Sequence, residues 1–209
     1  MAKRYWRPRK AVRELSARDP RFAALVAEVG HPSVELRDST FTAIARAIAY
    51  QQLAGAAAGA IWGRVLALFP EGEELSPVAV LRKRDTTYRK AGLSGAKTKS
   101  IKELARHVTR GDFDPADFHG QSNEDITEAL THVWGIGEWS AQMHLIFSLG
   151  RLDVWPVLDL GVRNGWAKFR GCTPPTVKEL IPLGDAYRPY RSVVAWYMWR
   201  VHELTNWVV

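Results

Sequence analysis

The sequence predicts an all-α protein, and three features carry that expectation. Apolar residues recur at three- and four-residue steps through most of the chain, the spacing of one helix face. Alternating apolar–polar runs, which half-buried strands require, are scarce. Glycine, proline and acidic residues gather at Phe69–Pro77, Gly111–Asn123 and Gly171–Pro175, where helices are expected to break. A chain of 209 residues suits one large domain or two closely packed lobes with ample core. It contains no low-complexity tract and no repeat of about 20–50 residues.

The elements follow in order. Phe41, Ile44, Ala45, Ile48 and Ala49 make one apolar stripe, and Ile61, Val65 and Leu68 continue it after Gly59. Between them lies Gln51-Gln52-Leu53. Ile101, Leu104, Ala105 and Val108 make a further stripe. Ile126, Ala129, Leu130 and Val133 place a helix over Asp125–Val133, and another is expected over Glu138–Leu149.

The turn between those last two helices is the most informative stretch of the chain. It reads His132-Val133-Trp134-Gly135-Ile136-Gly137-Glu138-Trp139-Ser140-Ala141. Its glycines permit a tight turn and close approach to a partner. The second helix then begins with outward amide N–H groups at its positive end, a ready seat for a phosphate oxygen. One reading is a hairpin that grips a nucleic-acid backbone without reading sequence, through Trp134, Gly135, Ile136, Gly137 and Ser140. The plainer reading is a helix corner whose glycines serve only the turn, and glycine spacing does not separate the two.

Asp159 adds to this. It lies eighteen residues beyond Ala141, in Asp153-Val-Trp-Pro-Val-Leu-Asp159-Leu-Gly-Val-Arg163, after the helix-breaking Pro156. An acid there can simply cap the next helix and pair with Arg163.

Composition narrows the partner class. The formal charge is +7 at pH 7, which favours a polyanion, although many soluble enzymes share such a balance. The basic N-terminus has no apolar stretch of signal-peptide length, and no window reaches the roughly 18 apolar residues of a membrane span. A single cysteine, Cys172, forms no intrachain disulfide and suits a reducing compartment. A soluble, cytoplasmic protein is expected.

Hairpin and acid together, at this separation, resemble the signature of the helix-hairpin-helix DNA glycosylase superfamily. The resemblance runs from about Ser39 to Trp199. Ala49-Tyr50-Gln51-Gln52-Leu53-Ala54-Gly55 is similar to the Gln-Gln helix junction of the alkylation-repair branch. Gly92-Leu93-Ser94 with Lys97 and Lys99 is similar to its next junction. Arg188-Pro189-Tyr190-Arg191-Ser192, followed by Ala195-Trp196-Tyr197-Met198-Trp199, is similar to its closing helix. The branch it most resembles is bacterial 3-methyladenine DNA glycosylase II. Too few residues precede Ser39 for the N-terminal sheet domain of that family.

The resemblance implies two helical lobes facing a cleft, one of residues about 41–130, the other of about 1–40 with 131–209. It implies excision of 3-methyladenine- and 7-methylguanine-type bases from duplex DNA by a monomer that needs no cofactor. The alternatives are a glycosylase for deaminated or mismatched bases, or a non-catalytic binder of damaged DNA. Asp159 would be the catalytic carboxylate, stabilising a sugar that resembles an oxocarbenium ion as its glycosidic bond breaks. That carboxylate must be ionised, and the positive end of a helix starting at Leu160 suits it, so capping and catalysis are compatible. Asp153 is the rival acid.

Relatives that also cut the backbone carry a lysine on the second hairpin helix. Here that position is Trp139, so a monofunctional enzyme is expected. The four-cysteine loop of iron–sulfur relatives is missing too. Trp139 and Trp199 would line the base pocket, where an indole face favours a cationic base by about 0.5–2 kcal/mol. Met143 stands where some relatives carry an aromatic, which leaves a more open pocket. Trp62, Trp155 and Trp166 are expected in the core. The wedge that fills the gap left by a flipped base would come from Gln51, Gln52 or Leu53, with the choice between Gln52 and Leu53 open. The alternative for the glutamines is hydrogen bonding within a helix corner. Lys97 and Lys99 are candidate phosphate contacts. No histidine set has zinc spacing, and the resemblance allows only a structural cation on hairpin backbone carbonyls.

Overall fold

The computed structural model describes residues 4–53, 55–70 and 75–204. Ala54 of the corner motif, residues 71–74 of the expected break and the first three residues of the basic N-terminus lie outside that range. The chain divides into two compact units: one comprises the stretch up to Leu36 and that from Leu145 onward, the other Arg37–His144.

The first unit opens with β1 (Tyr5–Trp6), α1 (Arg9–Arg18), α2 (Pro20–Val29) and β2 (Val34–Glu35). The two short strands pair antiparallel, Tyr5 opposite Glu35 and Trp6 opposite Val34. Among the described residues they are the exception to helix. Asp19 starts α2 by accepting the Arg21 amide and holds the Arg21 guanidinium at 2.7 Å. Those hydrogen bonds set its carboxyl below the ordinary value despite partial burial.

The same unit resumes with α10 (Leu160–Arg170), α11 (Val177–Leu183) and α12 (Arg191–Glu203). Its core joins Leu15, Phe22 and Leu25 of the N-terminal helices to Trp155, Trp166, Phe169, Tyr187 and Tyr197. Phe22 meets Phe169, Tyr187 and Tyr197 at ring-centroid distances of 5.0–5.8 Å. Trp62, Trp155 and Trp166 are all buried, as the sequence led us to expect.

The second unit contains α3 (Phe41–Tyr50), α4 (Gly55–Leu66), α5 (Pro77–Arg82), α6 (Asp85–Ala91), α7 (Gly95–Arg110) and α8 (Asn123–Thr131). Helix α9 (Glu138–Phe147) begins there, and the division between units falls within it. Small polar residues start these helices by accepting an amide of the first turn: Thr40 for α3, Ser94 for α7 and Ser122 for α8. Helix α7 packs against α3, α5 and α6. It buries Ile101, Leu104 and Ala105, three members of its expected stripe.

Two differences from the sequence expectation have local causes. Within the expected break Gly111–Asn123, Pro115–Gly120 forms a 3-10 turn, started by Asp114 and anchored by buried Phe118. The units also divide elsewhere than the expected lobes. Residues 131–144 belong with Arg37–His144, because their contacts run to Ser39, Gln51 and α7. No helix among the described residues is long and apolar enough to cross a membrane.

Candidate active site

Asp159 sits at the start of α10 in the first unit. Its backbone is extended (φ −75°, ψ 121°), and its Oδ1 accepts the Val162 amide at 2.9 Å. The same Oδ1 accepts the indole N–H of Trp199 at 2.9 Å. Trp199 in turn lies against Phe147, with ring centroids 5.5 Å apart and planes inclined by 32°. A carboxylate at the positive end of a helix, oriented by an aromatic donor, is a negative group held in place before any reaction begins.

Two glycines make this possible. A Cβ on Gly161 would lie 3.0 Å from Trp199 Cδ1 and 3.1 Å from Asp159 Oδ1, so only a bare Cα leaves that space. A Cβ on Gly165 would lie 1.9 Å from the Met198 carbonyl oxygen. The four-residue spacing of Gly161 and Gly165 puts both on one face of α10, against α12. That spacing is readable in the sequence. Phe147 had no sequence signal beyond its helical position.

Asp153 is differently employed. Its carboxylate accepts from Arg191 Nε at 2.7 Å, Arg191 Nη2 at 3.0 Å and Arg188 Nη1 at 3.1 Å. Burial alone would raise its carboxyl, but the Arg191 hydrogen bonds and the two guanidinium charges hold it below the ordinary value. It fastens the start of α12. Arg163, the pairing partner considered for Asp159, turns its Nε to the Pro175 carbonyl.

The hairpin lies in the second unit. Helix α8 ends at Thr131, two residues earlier than expected, and α9 ends at Phe147. Gly135 has φ +88°, and a Cβ there would lie 2.8 Å from the Oγ of buried Ser100 on α7. Both the backbone and the space require glycine. Ile136 is buried, while Trp134 is exposed with Lys99 Nζ 4.1 Å from its ring centroid. Trp139 is 41% exposed on the first turn of α9, and Met143 one turn on is half-buried. Gly137 is exposed and Ser140 accepts from Gln51.

The Gln51–Leu53 corner separates into distinct roles. Gln51 Nε2 donates to the Gly135 carbonyl at 3.3 Å and to Ser140 Oγ at 3.2 Å. Gln52 is exposed with φ +56°, and Leu53 is 40% exposed. Lys97 is no free phosphate contact: its Nζ donates to the carbonyls of Ala49 at 2.9 Å and Gln51 at 2.7 Å, and burial lowers its ammonium below the ordinary value.

His144 and His132 serve the fold. Buried His144 Nε2 lies 3.1 Å from Ser39 Oγ, which donates to the Pro115 carbonyl. His132 Nδ1 donates to the Glu128 carbonyl. No group of three or more His, Cys, Asp or Glu able to hold a metal occurs among the described residues. Any cation would be left to hairpin carbonyls, of which that of Gly135 already accepts the Gln51 amide.

A family model described as HhH-GPD superfamily base excision DNA repair protein matches residues 45–183, a span containing the corner, hairpin and acid. The chain belongs to the HhH-GPD superfamily. Within it, the chain is 33% identical over 205 residues to DNA-3-methyladenine glycosylase 1 of Schizosaccharomyces pombe, covering 95% of this chain and 89% of that one. It is 28% identical to the alkylbase DNA glycosidase-like protein mag2 of the same yeast, covering 94% of each. The fold resembles a solved S. pombe 3-methyladenine DNA glycosylase in complex with abasic DNA, with TM-score 0.80 and 32% identity over 96% of this chain and all of that one. It also resembles a 3-methyladenine glycosidase from Bacillus halodurans, with TM-score 0.85 and 33% identity over 96% of this chain and 93% of that one.

Proposed function

We propose that this HhH-GPD member is a monofunctional DNA glycosylase that removes alkylated bases of the 3-methyladenine and 7-methylguanine type from duplex DNA. The observation that carries the proposal is the Asp159 carboxylate held by the Val162 amide and the Trp199 indole. The names of its relatives point to the same chemistry.

Alkylation at a ring nitrogen makes the base cationic and a better leaving group. As the C1′–N bond breaks, the electron pair leaves with the base, which departs neutral. Positive charge gathers on the sugar, and the Asp159 carboxylate stabilises it. Water adds to C1′ and passes its proton to the Asp159 carboxylate and on to solvent, leaving an abasic site. The strand stays whole, because Trp139 offers no amine to form a Schiff base.

The hairpin from Trp134 to Ser140 grips the phosphate backbone through its amides, with Lys99 nearby. Gln52 and Leu53, exposed at the corner, serve as the wedge. In the first unit, Trp199 backed by Phe147 presents an aromatic face to a cationic base. In the second, Trp139 and Met143 keep their proposed role as base contacts, tested separately by Trp139→Ala. The protein acts as a monomer, inside the cell where its DNA is.

Duplex DNA carrying radiolabelled methyl groups tests the reading. Wild type should release 3-methyladenine without nicking the strand. Asp159→Asn should lose release by about a hundredfold or more while still binding DNA. Asp153→Asn should keep the chemistry and lose only stability. No release by wild type overturns the alkylation assignment. Release from uracil-containing or mismatched duplex instead would move the protein to another lesion class.

A further inference from the structure

Lys97 is an ammonium with an unusual assignment. A lysine on the first turn of a helix, in a protein that binds a polyanion, would ordinarily face solvent or phosphate. Here Nζ donates to the Ala49 carbonyl in the last turn of α3 at 2.9 Å and to that of Gln51, just past its end, at 2.7 Å. Helix ends leave such carbonyls without intrahelical partners, and a cation is the strongest donor for them. Burial opposes the charge, so the position costs solvation that the two carbonyls must offset.

The next residue in the network faces the other way. Gln51, whose carbonyl Lys97 holds, sends its side-chain amide to Gly135 and Ser140 of the hairpin. Gln52, directly after it, takes a left-handed backbone (φ +56°), which non-glycine residues adopt only when their surroundings enforce it. One chain of hydrogen bonds thus runs from α7 through the corner to the hairpin, all within the Arg37–His144 unit.

We propose that Lys97 and Gln51 are positioning residues that lock the Gln52–Leu53 corner to the hairpin, so that backbone grip and wedge insertion act as one rigid piece. The inference rests on the glycosylase reading above for the identity of the wedge. Neither residue touches the reacting atoms. Their effect is geometric: a wedge anchored to the phosphate grip enters the stack at a fixed distance from it, whereas a loosened corner gives up that orientation.

The test uses the full chain and two duplexes. One carries a stable abasic analogue beside 2-aminopurine, whose fluorescence reports unstacking and needs no chemistry. The other is methylated DNA, read by single-turnover base release. Lys97→Met keeps the stem and removes the donors; Gln51→Leu cuts only the hairpin half. Both should lower the unstacking signal and slow release about tenfold or more. Affinity for undamaged duplex should fall less than the unstacking signal does. Lys97→Arg should restore most of the loss, because a guanidinium can donate to both carbonyls. Unchanged unstacking in both variants overturns the proposal. So does a loss in which affinity and thermal stability fall together and Arg gives no rescue. If wild type unstacks the abasic duplex but releases no methylated base, the lesion assignment fails and the corner is judged on fluorescence alone.

Discussion

Gly165 of α10 lies so close to the Met198 carbonyl of α12 that an added Cβ would stand 1.9 Å from its oxygen. Met198 directly precedes Trp199, the donor to Asp159. The approach of these two helices therefore sets the distance between acid and indole. Gly165→Ala must push the helices apart, at a cost of about 1–3 kcal/mol or more. Urea unfolding should show that loss, and base release should fall further than the remaining folded fraction explains.

Trp199→Phe separates two roles of one side chain. Phenylalanine keeps an aromatic face beside Phe147 but cannot donate to Asp159 Oδ1. A hydrogen bond to a charged acceptor is worth about 1.5–3 kcal/mol, so single-turnover release should drop roughly tenfold to a hundredfold. DNA affinity should be unaltered. A wild-type rate in this variant would show that the carboxylate is oriented without the Trp199 donor.

Gly135→Ala probes the hairpin. The substitution meets a positive φ of 88° and the Oγ of Ser100 at 2.8 Å. The turn must shift, and duplex affinity should fall for damaged and undamaged DNA alike. Titration at several salt concentrations would expose the change as a shallower salt slope, since backbone contacts carry that dependence. Gly137, where a Cβ meets nothing within 4 Å, should tolerate alanine better.

His144 makes the second unit acid-sensitive. Burial first, and the neighbouring charge of His119 second, lower its ring from 6.5 to about 4. The folded state thus resists protonation, and the unfolded chain binds that proton more readily between 6.5 and about 4. Its contribution is complete above that window and is lost as pH falls through it, by up to about 3 kcal/mol. Comparing unfolding at neutral pH and at about pH 4.5, His144→Gln should show a smaller loss than wild type. An imidazole resonance titrating near its ordinary value in the folded protein would contradict this.

The sequence alone determined the helical class, the hairpin turn, the acid after Pro156 and the three core tryptophans. The helices, turn and acid follow from short-range rules of apolar spacing, glycine placement and helix starts and stops. The three tryptophans fall to the core because the family resemblance claims only Trp139 and Trp199. Tertiary structure decided what one-dimensional spacing does not carry. Lys97 looked like a surface cation until the end of α3 arrived beside it, and Gln51 separated from Gln52 only once the hairpin lay within reach of its amide. Asp153 is held by Arg191, thirty-eight residues away, a pairing the sequence does not announce. Gly161 and Gly165 acquired meaning only from what α12 places against them. A hydrogen bond or a forbidden Cβ depends on distances of a few ångströms between residues far apart in the chain, and only packing sets those distances.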